Sequence, residues 1–194
     1  MARQTRRSSH GSAARKRSLP AAPPGPAGPR HPPPPALWAT WRLEYIAGVD
    51  DAKSCFFCDA VAGSADRENL LLLRGKTAIV MLNKFPYISG HLMVATTAHK
   101  GRLEELTPPE MLELWELTRR MTGALERTMK AQGFNIGLNL NRVAGAGVPG
   151  HLHVHVVPRW NGDTNFMPVI SDTKVIPVSL AATYDLLHRE LARS

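Results

Sequence analysis

The segment Gly150-His151-Leu152-His153-Val154-His155-Val156-Val157-Pro158-Arg159-Trp160 leaves few folds open to this chain. Side chains of an extended strand alternate between faces. A strand here therefore sets His151, His153 and His155 on one side and Leu152, Val154 and Val156 on the other. Successive imidazoles then stand about 7 Å apart, near enough to share a site but too far apart to hydrogen-bond directly along the strand. The apolar face demands a core. A lone histidine on a strand is ordinarily a core or surface residue; three at period two on one face point to chemistry.

The chain has 194 residues, enough for one domain with a real core. Its net charge of +8 is unevenly placed: Arg3, Arg6, Arg7, Arg15, Lys16, Arg17 and Arg30 precede Ala36 with no acidic residue among them, leaving 17 basic against 16 acidic residues. The body is thus near neutral and does not read as a nucleic-acid binder. With its prolines between Pro20 and Pro35, the segment 1–36 cannot bury enough apolar surface to offset the entropy of ordering it. The expectation is a disordered, basic, Pro-rich tail over 1–36 and a folded domain over 37–194. Between Met1 and Leu19 the tail lacks the large apolar residues of an amphipathic transit face or a secretory core, and no stretch is long enough to span a membrane. A cytoplasmic protein without a membrane partner follows, with a weak, salt-sensitive attraction of the tail to polyanions as an alternative role for it.

Along the body, the aromatic-rich run Leu37 to Ile46 suggests packing on the domain or on a partner subunit. Leu70–Leu73 and Thr77–Leu82 read as strands of a hairpin around Arg74-Gly75-Lys76, and His91–Ala95 as a third strand after the loop Asn83–Gly90. Thr107-Pro108-Pro109-Glu110 is a helix start with a capping box, and Leu114, Trp115, Leu117, Met121, Leu125 and Met129 form its buried stripe, with Gly133 as its end. Phe134–Leu140 reads as a strand, Asn141–Gly150 as a small-residue loop, and Ser179–Ala192 as a C-terminal helix. The fold class is α+β, with a mostly antiparallel sheet, a long packing helix and a C-terminal helix.

The only cysteines, Cys55 and Cys58, are three residues apart, which suits a metal or redox role better than a structural disulfide framework. Two reduced thiols packed in a core are the alternative.

His151 to Val157 after the Gly-rich loop, with the Asn83–His91 segment and the later His99, resembles the histidine triad family over roughly residues 37–177. The resemblance implies a HIT-like domain in which His153 attacks the α-phosphorus of a nucleotide and a second acceptor completes transfer. It implies that His155 serves the phosphate site, that His91 positions the catalytic cluster, that Asn83 meets a ribose and that Asn139 holds the α-phosphate or leaving oxygen. A neutral imidazole is a competent nucleophile near pH 7, and backbone N–H groups of the loop, including those at Gly145, Ala146 and Gly147, can approach phosphate oxygens.

Cys55, Cys58, His99 and His151 resemble the structural zinc site of one branch of that family, a donor set that suits tetrahedral zinc. The run Pro158–Pro168, with Leu37–Arg42, resembles a bacterial branch of dinucleoside polyphosphate phosphorylases, in which inorganic phosphate is the acceptor. There Arg159, Arg142 and Lys174 are available cations, and Trp160 either stacks on a base or packs. One departure stands out: Ala146-Gly147-Val148-Pro149-Gly150 lacks the hydroxyl many relatives carry. The resemblance further implies a homodimer. Alternatives are a hydrolase or phosphoramidase of the same family, a weakly catalytic nucleotide-binding module, and a metalloenzyme using the three histidines as ligands of a catalytic metal.

Overall fold

Two strands buried at every position, rather than at alternate ones, require a sheet covered on both faces. In the computed structural model, which describes residues 55–163 and 178–193, Ala78–Leu82 (β2) and Leu92–Thr96 (β3) are such strands, buried throughout. They lie inside an antiparallel sheet of order β1-β2-β3-β5-β4, completed by Leu71–Arg74 (β1), Gly133–Leu138 (β4) and His153–Arg159 (β5). β1, β2 and β3 form a meander; the chain then crosses to the far edge and inserts β5 between β3 and β4. β5 is therefore hydrogen-bonded on both sides, which holds its side chains in fixed register: Ala95 faces His153 across β3, and Met93 and Gly137 flank His155.

One face of the sheet packs under two helices, Pro108–Met129 (α2) and Leu180–Leu191 (α3). Val80, Leu82, Leu92, Val94, Leu152, Val154 and Val156 meet Leu114, Leu117, Met121 and Leu125 of α2 and Leu187 of α3. Each such aliphatic side chain contributes about 1.5–3 kcal/mol when fully buried. The other face carries Ile79, Met81, Met93 and Ala95 and is covered by Phe57 and Ala60 of the short helix Phe56–Ala62 (α1). These three helices and five strands, among the described residues, make the α+β, mostly antiparallel fold expected from the sequence.

The start of α2 follows its residues. Pro108 opens the helix, and the Glu110 carboxylate accepts Thr107 N–H at 2.7 Å and Lys100 Nζ–H at 2.7 Å. Its end differs from the expectation: Lys130, not Gly133, closes the helix in the left-handed conformation (φ 56°), its N–H bonding to Glu126 while Ala131 N–H reaches Leu125. Gly133 instead begins β4. Trp115 is also corrected; it is 45 % exposed, because the core side of α2 is taken by Leu114, Leu117, Thr118 and Met121. The cysteine knuckle is the first turn of a helix, with Cys55 as its N-cap. The Leu37–Ile46 run, the 1–36 tail and the whole of 164–177, Lys174 included, lie outside the described residues. No helix among the described residues is long and apolar enough to cross a membrane.

Candidate active site

The two faces of β5 separate as alternation requires, with one correction. The strand begins at His153; His151 sits in the turn before it, where its N–H returns to Val148 O at 3.2 Å and Leu152 N–H goes to Lys100 O at 2.6 Å. All three imidazoles still face away from the helix layer, but they have different partners.

Their hydrogen bonds assign their protons. His153 Nδ1 lies 2.8 Å from the His151 carbonyl, which only accepts, so Nδ1 carries the hydrogen and Nε2 keeps a lone pair. His151 Nε2 lies 2.7 Å from Thr96 O, so there the lone pair is on Nδ1. Tyr87 N–H donates to His91 Nδ1 at 3.1 Å, leaving His91 Nε2–H to donate to His155 Nδ1 at 3.0 Å. Neutral His155 then carries its hydrogen on Nε2, ready to donate. Burial pushes the pKa of His153 below the ordinary 6.5, and that of His151 likewise, against the pull of the Thr96 carbonyl. The result is a neutral imidazole with a lone pair on Nε2, edge-on to a second imidazole at 4.9 Å between ring centres.

Four donors gather beside this pair. Cys55 Sγ and Cys58 Sγ lie 3.3 Å and 3.6 Å from His151 Nδ1, and Cys58 Sγ lies 3.2 Å from His99 Nδ1. All four ligand atoms fall within 4.8 Å of one another. A tetrahedral zinc with ordinary Zn–S and Zn–N bonds separates sulfur from nitrogen by about 3.6 Å, so the set fits with little movement. Desolvation, then the hydrogen bond and charge of Cys55, push the Cys58 thiol up, a cost that a bound cation offsets. A side chain at Gly150 would place Cβ 3.0 Å from His99 Nε2, so glycine there lets this histidine approach.

The remaining expected site residues divide. Asn83 gives its carboxamide oxygen to Phe85 N–H at 2.9 Å and sets its amide 3.5 Å from His91 Nδ1, so it shapes the loop that holds His91. Asn139 is half-buried just after β4. In the loop, Asn141 adopts φ 67° and ψ 166°, a region costly for a side chain, and its carbonyl gathers Ala144 N–H and Ala146 N–H at 3.2 and 3.3 Å. Ala146 N–H is therefore spent within the loop. Gly145 supplies the positive φ of 87° at the turn, and Gly147 follows, half-buried.

Arg159 and Trp160 both have partners within the fold, and Trp160 follows the packing alternative. The Arg159 guanidinium grips Asp163 (2.6 and 2.7 Å) and Asn135 (2.9 Å), because Asp163 lies one turn away. Trp160 packs against the helix-side core and donates Nε1–H to Met129 O at 3.1 Å, which takes its ring from the imidazole face. Two residues that sequence reasoning passed over stand against the cluster. Tyr87 stacks on His91 at 4.5 Å between ring centres, and Phe57 lies 4.9 Å from His151 and 5.0 Å from His153. The only sequence signal for Phe57 is its position between the two cysteines.

The HIT domain model matches residues 65–162, and the chain belongs to that family. Within it, the chain is 39 % identical over 164 residues to a Mycobacterium tuberculosis protein named AP-4-A phosphorylase, covering 81 % of this chain and 84 % of that one. It is 34 % identical over 90 residues to the asymmetrical bis(5'-nucleosyl)-tetraphosphatase of Schizosaccharomyces pombe, covering 46 % and 49 %. Among solved structures, a zinc-bound histidine triad family protein from Mycobacterium smegmatis matches with a TM-score of 0.59 at 27 % identity, over 72 % of this chain and 94 % of that one.

Proposed function

We propose that this protein is a nucleotidyltransferase acting on dinucleoside polyphosphates, with inorganic phosphate as the second substrate. The observation that carries the reading is the His153 ring: its Nδ1–H is fixed on the His151 carbonyl, so its buried Nε2 lone pair is free to attack phosphorus. On diadenosine tetraphosphate, Nε2 forms a bond to one α-phosphorus as the P–O bond to the remaining ATP breaks. His155, oriented by His91, donates its Nε2 hydrogen to a phosphoryl or leaving oxygen. A phosphate oxygen then displaces His153 from the adenylyl phosphorus, giving ADP. The likeness to the AP-4-A phosphorylase supports phosphate as acceptor; the likeness to the tetraphosphatase favours water as the second reading, with AMP and ATP as products.

Product analysis with and without phosphate tests the choice. Phosphorolysis yields ADP and ATP only when phosphate is present, and His153→Ala abolishes both turnover and covalent labelling. Unchanged turnover to AMP and ATP without phosphate overturns phosphorolysis, and labelling that survives His153→Ala overturns the nucleophile.

Zinc is the metal this reading gives to Cys55, Cys58, His99 and His151. Two thiolates and two imidazoles complete a tetrahedral shell, so the ion supplies structure rather than an open coordination site. A homodimer is the assembly, supported by β4: among the described strands it is the edge beyond β5, and Ile136 at its centre is 43 % exposed.

A further inference from the structure

Phe57 is neither a candidate ligand nor part of the His91–His155 pair, yet it touches both halves of the site. It is 0 % exposed, it lies between Cys55 and Cys58 in sequence, and its ring stands 4.9 Å from His151 and 5.0 Å from His153 between centres. The helix that carries it has seven residues, too few to hold itself in water. Beyond the packing of Phe57 and Ala60 on the sheet, its position depends on what grips its ends. At the C-terminal end Arg74 donates to the carbonyls of Ala60 (2.8 Å), Val61 (2.9 Å) and Gly63 (2.7 Å) while pairing with Asp66 at 2.7 Å. At the N-terminal end the grip is the cluster itself, through Cys55 and Cys58.

The Phe57 ring is thus fixed by two anchors, one permanent and one conditional. Drawing the two thiols onto a shared ion with His99 and His151 fixes the first turn of α1 on either side of the ring. Releasing them leaves Arg74, with the packing of Phe57 and Ala60 on the sheet, to hold the helix. The His153 ring hydrogen-bonds to His151 O and is flanked by the Phe57 ring on one side and His155 on another. We propose that Phe57 is a positioning residue that transmits occupancy of the Cys55–Cys58–His99–His151 cluster to His153. The inference rests on the reading of His153 as nucleophile and adds a structural control over its placement.

The full-length protein, zinc-loaded or treated with a chelator, is exposed to diethyl pyrocarbonate, and the modification rate of His153 is followed by peptide mapping. In wild type, chelation is expected to raise that rate about tenfold, whereas in Phe57→Leu the rate is already high with zinc bound and changes less than about twofold on chelation. Arg74→Gln, which loosens the far anchor with all four ligands intact, is expected to raise the rate in the zinc-loaded protein. In turnover, zinc-loaded Phe57→Leu is expected to lose about tenfold in kcat with KM unchanged. The proposal is overturned by equal acceleration in wild type and Phe57→Leu, by no acceleration in wild type, by no effect of Arg74→Gln, or by a rise in KM at unchanged kcat. Modification is read without nucleotide. A protein that shows the protection pattern but turns over no dinucleotide refutes the functional reading alone; one that turns over dinucleotide without the pattern refutes the positioning role alone.

Discussion

His151 and His153 each commit one nitrogen to a backbone carbonyl, and the committed atom differs between them. His153 spends Nδ1 on a carbonyl and keeps Nε2; His151 spends Nε2 on a carbonyl and keeps Nδ1 toward the thiols. Swapping which nitrogen is committed would exchange the proposed nucleophile for the proposed ligand, although the two residues are separated only by Leu152. The prediction at this scale concerns the ligand. Full-length protein should carry about one zinc per chain by elemental analysis, and Cys55→Ser should fall below about half of that. Because metal binding adds to folding free energy, stripping zinc should also lower the thermal midpoint by several degrees, about 2–4 °C per kcal/mol in a chain of this size. Substoichiometric metal in wild type, unaffected by Cys55→Ser, would remove zinc from the account.

Among the elements, α2 holds the site from a distance through its first turn. Glu110 accepts Thr107 N–H and Oγ–H and both hydrogen bonds from Lys100, and Lys100 in turn offers its carbonyl to Leu152 N–H at the entry to β5. The Lys100 ammonium, then the Thr107 donors, hold the Glu110 carboxyl well below its ordinary 4.5, at about 2. A carboxylate whose pKa is lower folded than unfolded stabilises the fold above its unfolded value, and that contribution is lost as pH falls through the folded one. Urea unfolding midpoints of wild type should therefore decline between about pH 4.5 and about pH 2 more steeply than those of Glu110→Gln, which is less stable at pH 7. Parallel curves for the two proteins would mean that the contact does not operate in solution. Much of α2 was legible beforehand, since Thr107, Pro108 and Glu110 carry their meaning in local spacing. Lys130 as the closing residue was not, because a non-glycine accepts a left-handed backbone only when surrounding hydrogen bonds hold it there.

At the scale of the molecule, the sheet has its imidazole strand one place in from an edge, and that edge is β4. A second copy pairing along β4 would bury Ile136 and extend the sheet while leaving the β5 imidazole face unobstructed by the helix layer. Sedimentation at micromolar concentration should give a mass of twice 21.3 kDa, and Ile136→Glu should shift the population toward 21.3 kDa. A wild-type chain that sediments singly would refute the dimer.

What the sequence by itself determined was the division of faces. Alternation is intrinsic to an extended backbone, so Val154 and Val156 had to enter the helix-side core and His153 and His155 had to face away from it. The spacing of Cys55 and Cys58 likewise suited a metal or redox role, without deciding between them. Only the tertiary structure decided the partners: Trp160 packs on the helix-side core and donates to Met129 O, Arg159 pairs with Asp163, and the Phe57 ring stands against His151 and His153. The physical reason is that a side chain's face is set by its own backbone, but what it touches is set by elements distant in the chain. Even the jobs of the two neighbouring histidines follow this rule. A carbonyl from β3 commits one nitrogen of His151, and the carbonyl of His151 commits the opposite nitrogen of His153.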